Sequence, residues 1–327
     1  MSSGLRVGLV GAGMVSAYHV AGWQAAEGAA LVAIADPDPA RAAGRAARVP
    51  GAQVFSTLDE MIAAVDLDVI DIATPPATHA GLVGRAQAAG LHVICQKPLA
   101  GDAARAAAIV DALSSSSRVM VHENWRWRAT YRALRTALKE SRIAAPGRFE
   151  FRVESAGLLK DASGLYPALQ RQPFFATMPR LLVFELLVHH LDVLAFLFGD
   201  VEILAAELSR RCPAVIGEDR ARIELMAGGM PGVLTADFCV EGQPAAPKDL
   251  LFIDAGGKPV VDGWELNLPG ANARRWNPED AYQASYTSTI SHFIDCLAAG
   301  TPFETPPQEA LKTLRLVDRI YEIAGWP

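Results

Sequence analysis

The sequence predicts an α/β fold in two parts, a doubly wound parallel sheet followed by an α+β domain with a mixed or mostly antiparallel sheet. Three observations predict it. Over the first ~120 residues, short apolar β-branched runs alternate with Ala-rich helical stretches, the pattern of βαβ units. A glycine turn, Gly11-Ala12-Gly13, joins the first of these runs to the first helix. After Val121 helices come first, and strand-like runs then follow one another with no helix between them.

The strands expected in the first part are Leu5–Val10, Leu31–Ala35, Gln53–Phe55, Val69–Ala73, His92–Cys95 and Val119–Val121. The helices expected between them are Val15–Glu27, Pro39–Ala47, Leu58–Ala64, Thr78–Ala89 and Ala103–Leu113. Six strands with a helix in nearly every gap is the complement of a mononucleotide-binding doubly wound fold. Beyond them, Trp125–Lys139 reads as a helix, Gly147–Glu154 alternates like a strand, and a Pro/Gly-containing stretch runs to Pro179. Leu181–Phe198 is strongly apolar and helical, and strands are expected at Val201–Leu208, Ala221–Met226, Val233–Val240 and Leu250–Asp254. Two amphipathic helices, Tyr282–Ala298 and Glu309–Ala324, close the chain. No Gly/Ser-rich linker marks a hinge, so the boundary is set near His122, giving domains 1–122 and 123–327.

Bulk properties narrow the function. With 327 residues the chain is comfortable for two domains, and a fold of this size buries roughly 75% of its unfolded surface without a disulfide or metal staple. A net charge of −6 argues against nucleic acid, which needs a basic stripe to replace phosphate counterions. The four cysteines, Cys95, Cys212, Cys239 and Cys296, show no metal-ligand spacing, so no metal is expected, and scattered thiols suit a reducing compartment. The first apolar run, Leu5–Val10, is too short for a signal core or a membrane span. A cytoplasmic protein with no membrane partner is the expectation.

Gly11 and Gly13, with Met14 and Val15, lie where a strand turns into a helix, the place where a dinucleotide pyrophosphate meets backbone N–H groups at the helix N-terminus. Gly11 allows the turn, Gly13 lets the backbone approach phosphate, and Ser16 stands where a third glycine is usual. The next strand ends at Asp36, placed to take ribose hydroxyls. Strand, turn, helix, strand and acid in this order predict a Rossmann-type cofactor domain. A carboxylate at residue 36 repels a 2′-phosphate, and Arg41 reads as a solvated helix residue, so NAD is expected over NADP.

A second string of motifs runs from Thr74-Pro75-Pro76 through His79 and Ala88–Val93 to Gln96-Lys97-Pro98. It resembles the Gfo/Idh/MocA oxidoreductases, which include glucose–fructose oxidoreductase and inositol dehydrogenase. The resemblance continues through Gly11–His19, Asn124, Arg126, Glu185–Asp192 and Phe293–Tyr321, so it spans essentially the whole chain. It implies a second domain with a large open sheet used for dimer or tetramer contacts, and a sugar, polyol or related alcohol as substrate. It implies that Lys97 polarises the reacting oxygen, that the Lys97–Pro98 bond is cis, and that His189 is the acid/base group with Glu185 beside it. Gln96 and Glu185 depart from the family pattern, which has a glutamate and an aspartate there. Thr74, Pro75, Pro76, His79, Gln96, Lys97, Asn124 and Arg126 join the glycine turn as cofactor contacts.

The chemistry fits these residue types. Oxidising an alcohol removes a hydride from carbon and a proton from oxygen; the cofactor takes the hydride and the protein supplies the base. An imidazole suits that proton transfer, and an ammonium stabilises developing alkoxide charge. On a helix, Glu185 and His189 at i and i+4 share a face. His190 and Asp192 read as structural, and His19 as packing behind the glycine turn. In Trp125-Arg126-Trp127-Arg128, Arg126 is assigned to the nicotinamide or substrate and Trp127 partly to the core. Tyr166, Arg171, Gln172 and Arg180, with Lys97, Arg126 and His189, are candidate substrate contacts. Two other functions fit the same motifs: a glycosidase using NAD for transient oxidation, and a non-catalytic regulator that binds NAD(P) and a sugar. Retention of both Lys97 and His189 argues against the regulator.

Overall fold

The computed structural model describes residues 4–143, 147–254 and 257–327. The chain divides into two compact units, Met1–Arg128 with Glu279–Leu314, and Ala129–Pro278 with Arg315–Pro327.

The first unit is built on a six-stranded sheet of β1 (Leu5–Val10), β2 (Ala29–Ala35), β3 (Gln53–Phe55), β4 (Val69–Ile72), β5 (His92–Gln96) and β6 (Val119–His122). Their order in the sheet is β3-β2-β1-β4-β5-β6, and every pair is parallel. Helices α1 (Ser16–Ala25), α2 (Pro39–Ala46), α3 (Leu58–Ala64), α4 (His79–Ala88) and α5 (Ala103–Asp111) connect them. Local chemistry sets the helix starts. Asp38, Thr57 and Asp102 each accept a backbone N–H of the first turn, and Glu60 reaches back to the N–H of Ser56. Both faces of the sheet are covered, so β4 and β6 are buried at every residue and are apolar except for Asp71 and His122.

Helix α9 (Pro278–Ala299) was legible as a helix, but not as part of this unit. Its Ile290, Phe293 and Ile294 pack with Trp23, Val20 and Leu31 in one core. The expected division at 122/123 is continuous in sequence, whereas the compact unit returns for residues 279–314. The apolar stripe of α9 is buried against residues more than two hundred positions earlier, which no local pattern reveals.

The second unit carries an eight-stranded sheet in the order β14-β13-β12-β11-β7-β10-β9-β8. Its strands are β7 (Phe149–Glu154), β8 (Val201–Ser209), β9 (Arg220–Ala227), β10 (Met230–Asp237), β11 (Lys248–Ile253), β12 (Val261–Asp262), β13 (Glu265–Leu266) and β14 (Arg274–Arg275). Among the described strands of this sheet, only β7 and β10 pair in parallel, and the other neighbours are antiparallel. Phe149, Phe151 and Val153 alternate inward, while Glu150, Arg152 and Glu154 face outward. The unit's helices are α6 (Ala129–Lys139), α7 (Pro167–Arg171) and α8 (Val188–Phe198); α10 (Pro307–Ala324) contributes its C-terminal part here and its first turns to the other unit. On the buried face, Phe149 stacks on Phe198 at 5.3 Å and Phe151 meets the His190 ring edge-on at 5.0 Å.

Three sequence expectations are corrected. Trp125–Lys139 is not one helix: a 3₁₀ turn at Asn124–Trp127 precedes α6, with extended Arg128 between them. Leu181–Phe198 opens with a π turn, Val183–Leu187, in which the Val188 N–H reaches back to the Val183 carbonyl. The two-residue strands β12 to β14 were not expected, because segments that short carry no periodicity.

Candidate active site

In a parallel sheet all strands end on one edge, and the connections that leave that edge hold ligands beside the point where strand order reverses. Here the reversal lies between β1 and β4. Their last residues, Val10 and Ile72, are directly paired, as are Val10 and Ala35, Ile72 and Cys95, and Gln96 and His122. The residues just beyond these ends are Gly11, Asp36, Ala73-Thr74, Lys97 and Glu123. Five separate stretches of sequence are thereby brought to one edge of one unit.

The glycine turn is shaped for a close-approaching ligand. Gly11 has φ +100, and a Cβ there would stand 2.5 Å from the Ala73 carbonyl oxygen, so only glycine fits. Gly13 is different: a Cβ on it would meet no atom of the chain within 4 Å, leaving its backbone open. Ser16 is fully buried and donates to the Gly13 carbonyl at 2.6 Å, so the serine closes the turn onto α1. Met14 is 58% exposed beside it. Asp36 accepts the Ala12 N–H at 2.7 Å on one oxygen and the Asp38 N–H at 2.9 Å on the other. It therefore holds the glycine turn to the end of β2 as well as presenting a carboxylate there. Arg45, unremarked in the sequence, donates to the Gly13 carbonyl at 3.0 Å from α2.

On the other side of the reversal, Thr74, Pro75 and Pro76 form the turn into α4. His79 is fully buried, with Nε2 2.9 Å from the Thr74 carbonyl and Nδ1 3.2 Å from the Leu99 carbonyl. Burial pushes its imidazole below the usual range, against the pull of those carbonyls. His79, expected as a cofactor contact, also ties the Thr74 turn to the loop after Lys97 through these two carbonyls. The Lys97–Pro98 bond is cis, as expected.

Lys97 is half-buried, and the residue before it is tied into a buried polar chain. Asp71, in the middle of β4, accepts from Nδ1 of His19 at 2.8 Å and from the Trp23 indole at 2.6 Å. The Nε2 of His19 lies 3.0 Å from Nε2 of Gln96, whose Oε1 accepts the Lys97 N–H at 2.7 Å. His19 does more than pack behind the glycine turn, since it links β4 to the peptide of the lysine.

Beyond β6, Asn124 donates to Ser285 on α9 at 2.8 Å, and Arg126 donates to the Glu304 carbonyl at 2.8 Å with Glu309 at 3.8 Å. Both side chains are buried. Trp125, not Trp127, is the core tryptophan of this turn, and the Arg128 guanidinium lies 3.4 Å over its ring. Glu123 is buried, and its Oε1 accepts the Trp125 N–H at 3.1 Å. Burial raises its carboxyl to about 7, with Lys97 foremost among the cations that pull it back.

In the second unit, Glu185 is half-buried within the π turn and His189 is buried in the first turn of α8. Their start is fixed by Glu218, whose oxygens accept the Leu181 N–H at 3.0 Å, the Val183 N–H at 2.9 Å and the Tyr321 hydroxyl. Burial pushes Glu218 above the usual carboxylate range even so. His190 is structural, as expected: it meets Asp249 at 3.0 Å, and Asp249 also accepts from Tyr131. Among the weaker candidates, Arg180 pairs with Asp318 and lies 4.2 Å over the Tyr321 ring, while Arg171 is exposed and reaches the Gln172 side chain at 3.3 Å. Tyr166 is half-buried at the start of α7.

Sequence reasoning passed over Asp71, Glu123 and Glu218. Asp71 had a usable signal, a charged residue inside an otherwise apolar strand. Glu123 and Glu218 had none, because their roles come from elements distant in sequence.

Comparisons with known proteins bear on this site. Residues 5–124 match the GFO_IDH_MocA family model, described as an oxidoreductase family with an NAD-binding Rossmann fold. Over 334 residues the chain is 34% identical to D-apiose dehydrogenase of Paraburkholderia graminis, covering 96% of this chain and 86% of the relative. It is 30% identical to D-apiose dehydrogenase of Rhizobium rhizogenes over 340 residues, covering 98% and 95%. Among solved structures, an oxidoreductase from Agrobacterium radiobacter in complex with NAD+, L-tartaric acid and magnesium superposes with a TM-score of 0.88 at 28% identity, covering 98% of this chain and 96% of that one.

Proposed function

The chain belongs to the Gfo/Idh/MocA family of NAD-binding oxidoreductases, and we propose that it oxidises a hydroxyl of a small sugar or polyol, D-apiose first among them, with Lys97 and His189 acting on that hydroxyl. The observation that carries this reading is the edge described above, where the open backbone of Gly13, the Asp36 carboxylate and Lys97 follow the ends of β1, β2 and β5 at one edge of one parallel sheet.

The residues present fit NAD. The Gly11–Gly13 turn with its open Gly13 face would hold the pyrophosphate, and Asp36 would take the adenosine ribose hydroxyls. Bound there, NAD supplies the hydride acceptor. Lys97 donates to the substrate oxygen and stabilises the negative charge that grows as its proton leaves. His189 accepts that proton, and Glu185, one turn earlier, orients the imidazole. Glu218 fixes the start of the segment that carries both. The apiose assignment is supported by two relatives of that name that match along nearly the whole chain. Self-association through the outward face of the eight-stranded sheet, which bears Glu150, Arg152 and Glu154, belongs to the same reading and is checked by light scattering.

The test is NADH absorbance with a panel of D-apiose, other pentoses, hexoses and inositols, each supplied with NAD+ and separately with NADP+. Stoichiometric NADH with at least one of them, D-apiose giving the highest kcat/KM, is expected. Glycoside cleavage without net NADH, or cofactor binding with no turnover of any compound, would overturn it.

A further inference from the structure

Lys97 follows a neutral residue. The Gln96 side chain accepts the Lys97 N–H and faces His19, and as an amide it supplies no charge to the lysine. The nearest strand end offers one. Because Gln96 and His122 are paired across β5 and β6, the next residues, Lys97 and Glu123, leave neighbouring strand ends side by side. Glu123 is 5% exposed, and a carboxylate so buried needs cations around it.

We propose that Glu123 is the carboxylate partner of Lys97, a positioning residue that holds the ammonium in place at the sheet edge. This rests on the reading of Lys97 given above and extends it. The groups that face Glu123 are Lys97 beyond β5, Arg126 and Arg128 in its own turn, and the Tyr286 phenol on α9. Arg126 is already held by Glu304 and Glu309, and Arg128 is stacked on Trp125. One Glu123 oxygen is committed to the Trp125 N–H. Lys97, which leaves the neighbouring strand end, is the strongest Coulombic influence on the Glu123 carboxyl, which sits at about 7. Below that pH the carboxyl is neutral and the pair loses its charge; above it the pair is complete.

Two measurements on the protein without substrate test the pairing. In protein labelled with carbon-13 at the glutamate carboxyl, the Glu123 resonance titrates near neutral pH, and in Lys97→Met its midpoint rises by about one pH unit or more, as loss of a close opposite charge requires. In Glu123→Gln, the Lys97 amine loses its carboxylate contact, so its acetylation by acetic anhydride at pH 7.5, read by mass spectrometry relative to exposed lysines, rises at least ~3-fold. A Glu123 midpoint that Lys97→Met leaves in place overturns the proposal, whether or not Glu123→Gln folds; unchanged Lys97 acetylation in a folded Glu123→Gln does so too. Turnover by Lys97→Ala is a separate matter. If that variant kept its activity while both measurements came out as expected, the pairing would stand and the catalytic role of Lys97 would fall.

Discussion

The side-chain nitrogen Nε2 of Gln96 lies 3.0 Å from Nε2 of His19. The contact has one consistent assignment of protons. The Asp71 carboxylate only accepts, so Nδ1 of His19 carries the hydrogen. The Lys97 N–H only donates, so the Gln96 oxygen faces it and the amide NH2 is left to donate to the bare Nε2. A glutamate at residue 96 would turn an acceptor toward that bare nitrogen. Gln96→Glu is therefore expected to lower stability by about 1–3 kcal/mol, with the deficit growing as pH rises, because the contact then needs an imidazolium. Urea unfolding at pH 6 and pH 8.5 checks this; an equal deficit at both would contradict it.

The two glycines of the turn should respond differently. Gly11→Ala forces a Cβ to within 2.5 Å of the Ala73 oxygen at φ +100, and should destabilise the protein by about 1–3 kcal/mol. In Gly13→Ala the added Cβ meets nothing within 4 Å beyond its chain neighbours, so its thermal midpoint should hold while NAD+ affinity falls at least ~10-fold. Thermal melts and fluorescence titration with NADH separate the two effects.

Asp36 has two duties that one substitution should split. In Asp36→Asn, either orientation of the amide points its NH2 at the N–H of Ala12 or of Asp38, costing about 1 kcal/mol of stability. Loss of the charge should also lower the preference for NADH over NADPH by at least ~10-fold, since the repulsion of a 2′-phosphate is gone. An unchanged preference in equilibrium titrations would remove Asp36 from the cofactor site.

Glu218 supports the start of the segment bearing Glu185 and His189. Burial raises its folded-state pKa, so its contribution to stability is fully present at low pH and is lost as pH rises through that raised value. Glu218→Gln keeps the size but turns an NH2 toward a Leu181 or Val183 N–H, and should destabilise by about 1–3 kcal/mol. The difference from the parent should be larger at pH 5 than at pH 8 in guanidinium unfolding. A difference that grows with pH would contradict the assignment.

The alternation of apolar runs with Ala-rich helices made the parallel sheet legible nearly strand by strand, and the glycine turn, Asp36 and Lys97 were legible because each lies within a few residues of its own strand end. The rest depends on contacts that no local pattern encodes. His19, Asp71 and Gln96 come from α1, β4 and β5, and their proton arrangement follows only once these three elements are packed together. The π turn before His189 was invisible because its composition, Val183–Leu187, is as apolar as an ordinary helix. For His79 a motif position gave the expected cofactor contact, and nothing local showed that its buried ring also faces the Thr74 and Leu99 carbonyls.

The central claim is that Lys97 and His189 act in the chemical step and not in holding the cofactor. Single-turnover NADH formation with saturating NAD+ and D-apiose, or whichever sugar the panel selects, tests it most directly for Lys97→Ala and His189→Ala. Each variant is expected to slow that step by at least ~100-fold while its NAD+ dissociation constant stays within about twofold of the parent. A parental rate in either variant would contradict the role given to that residue.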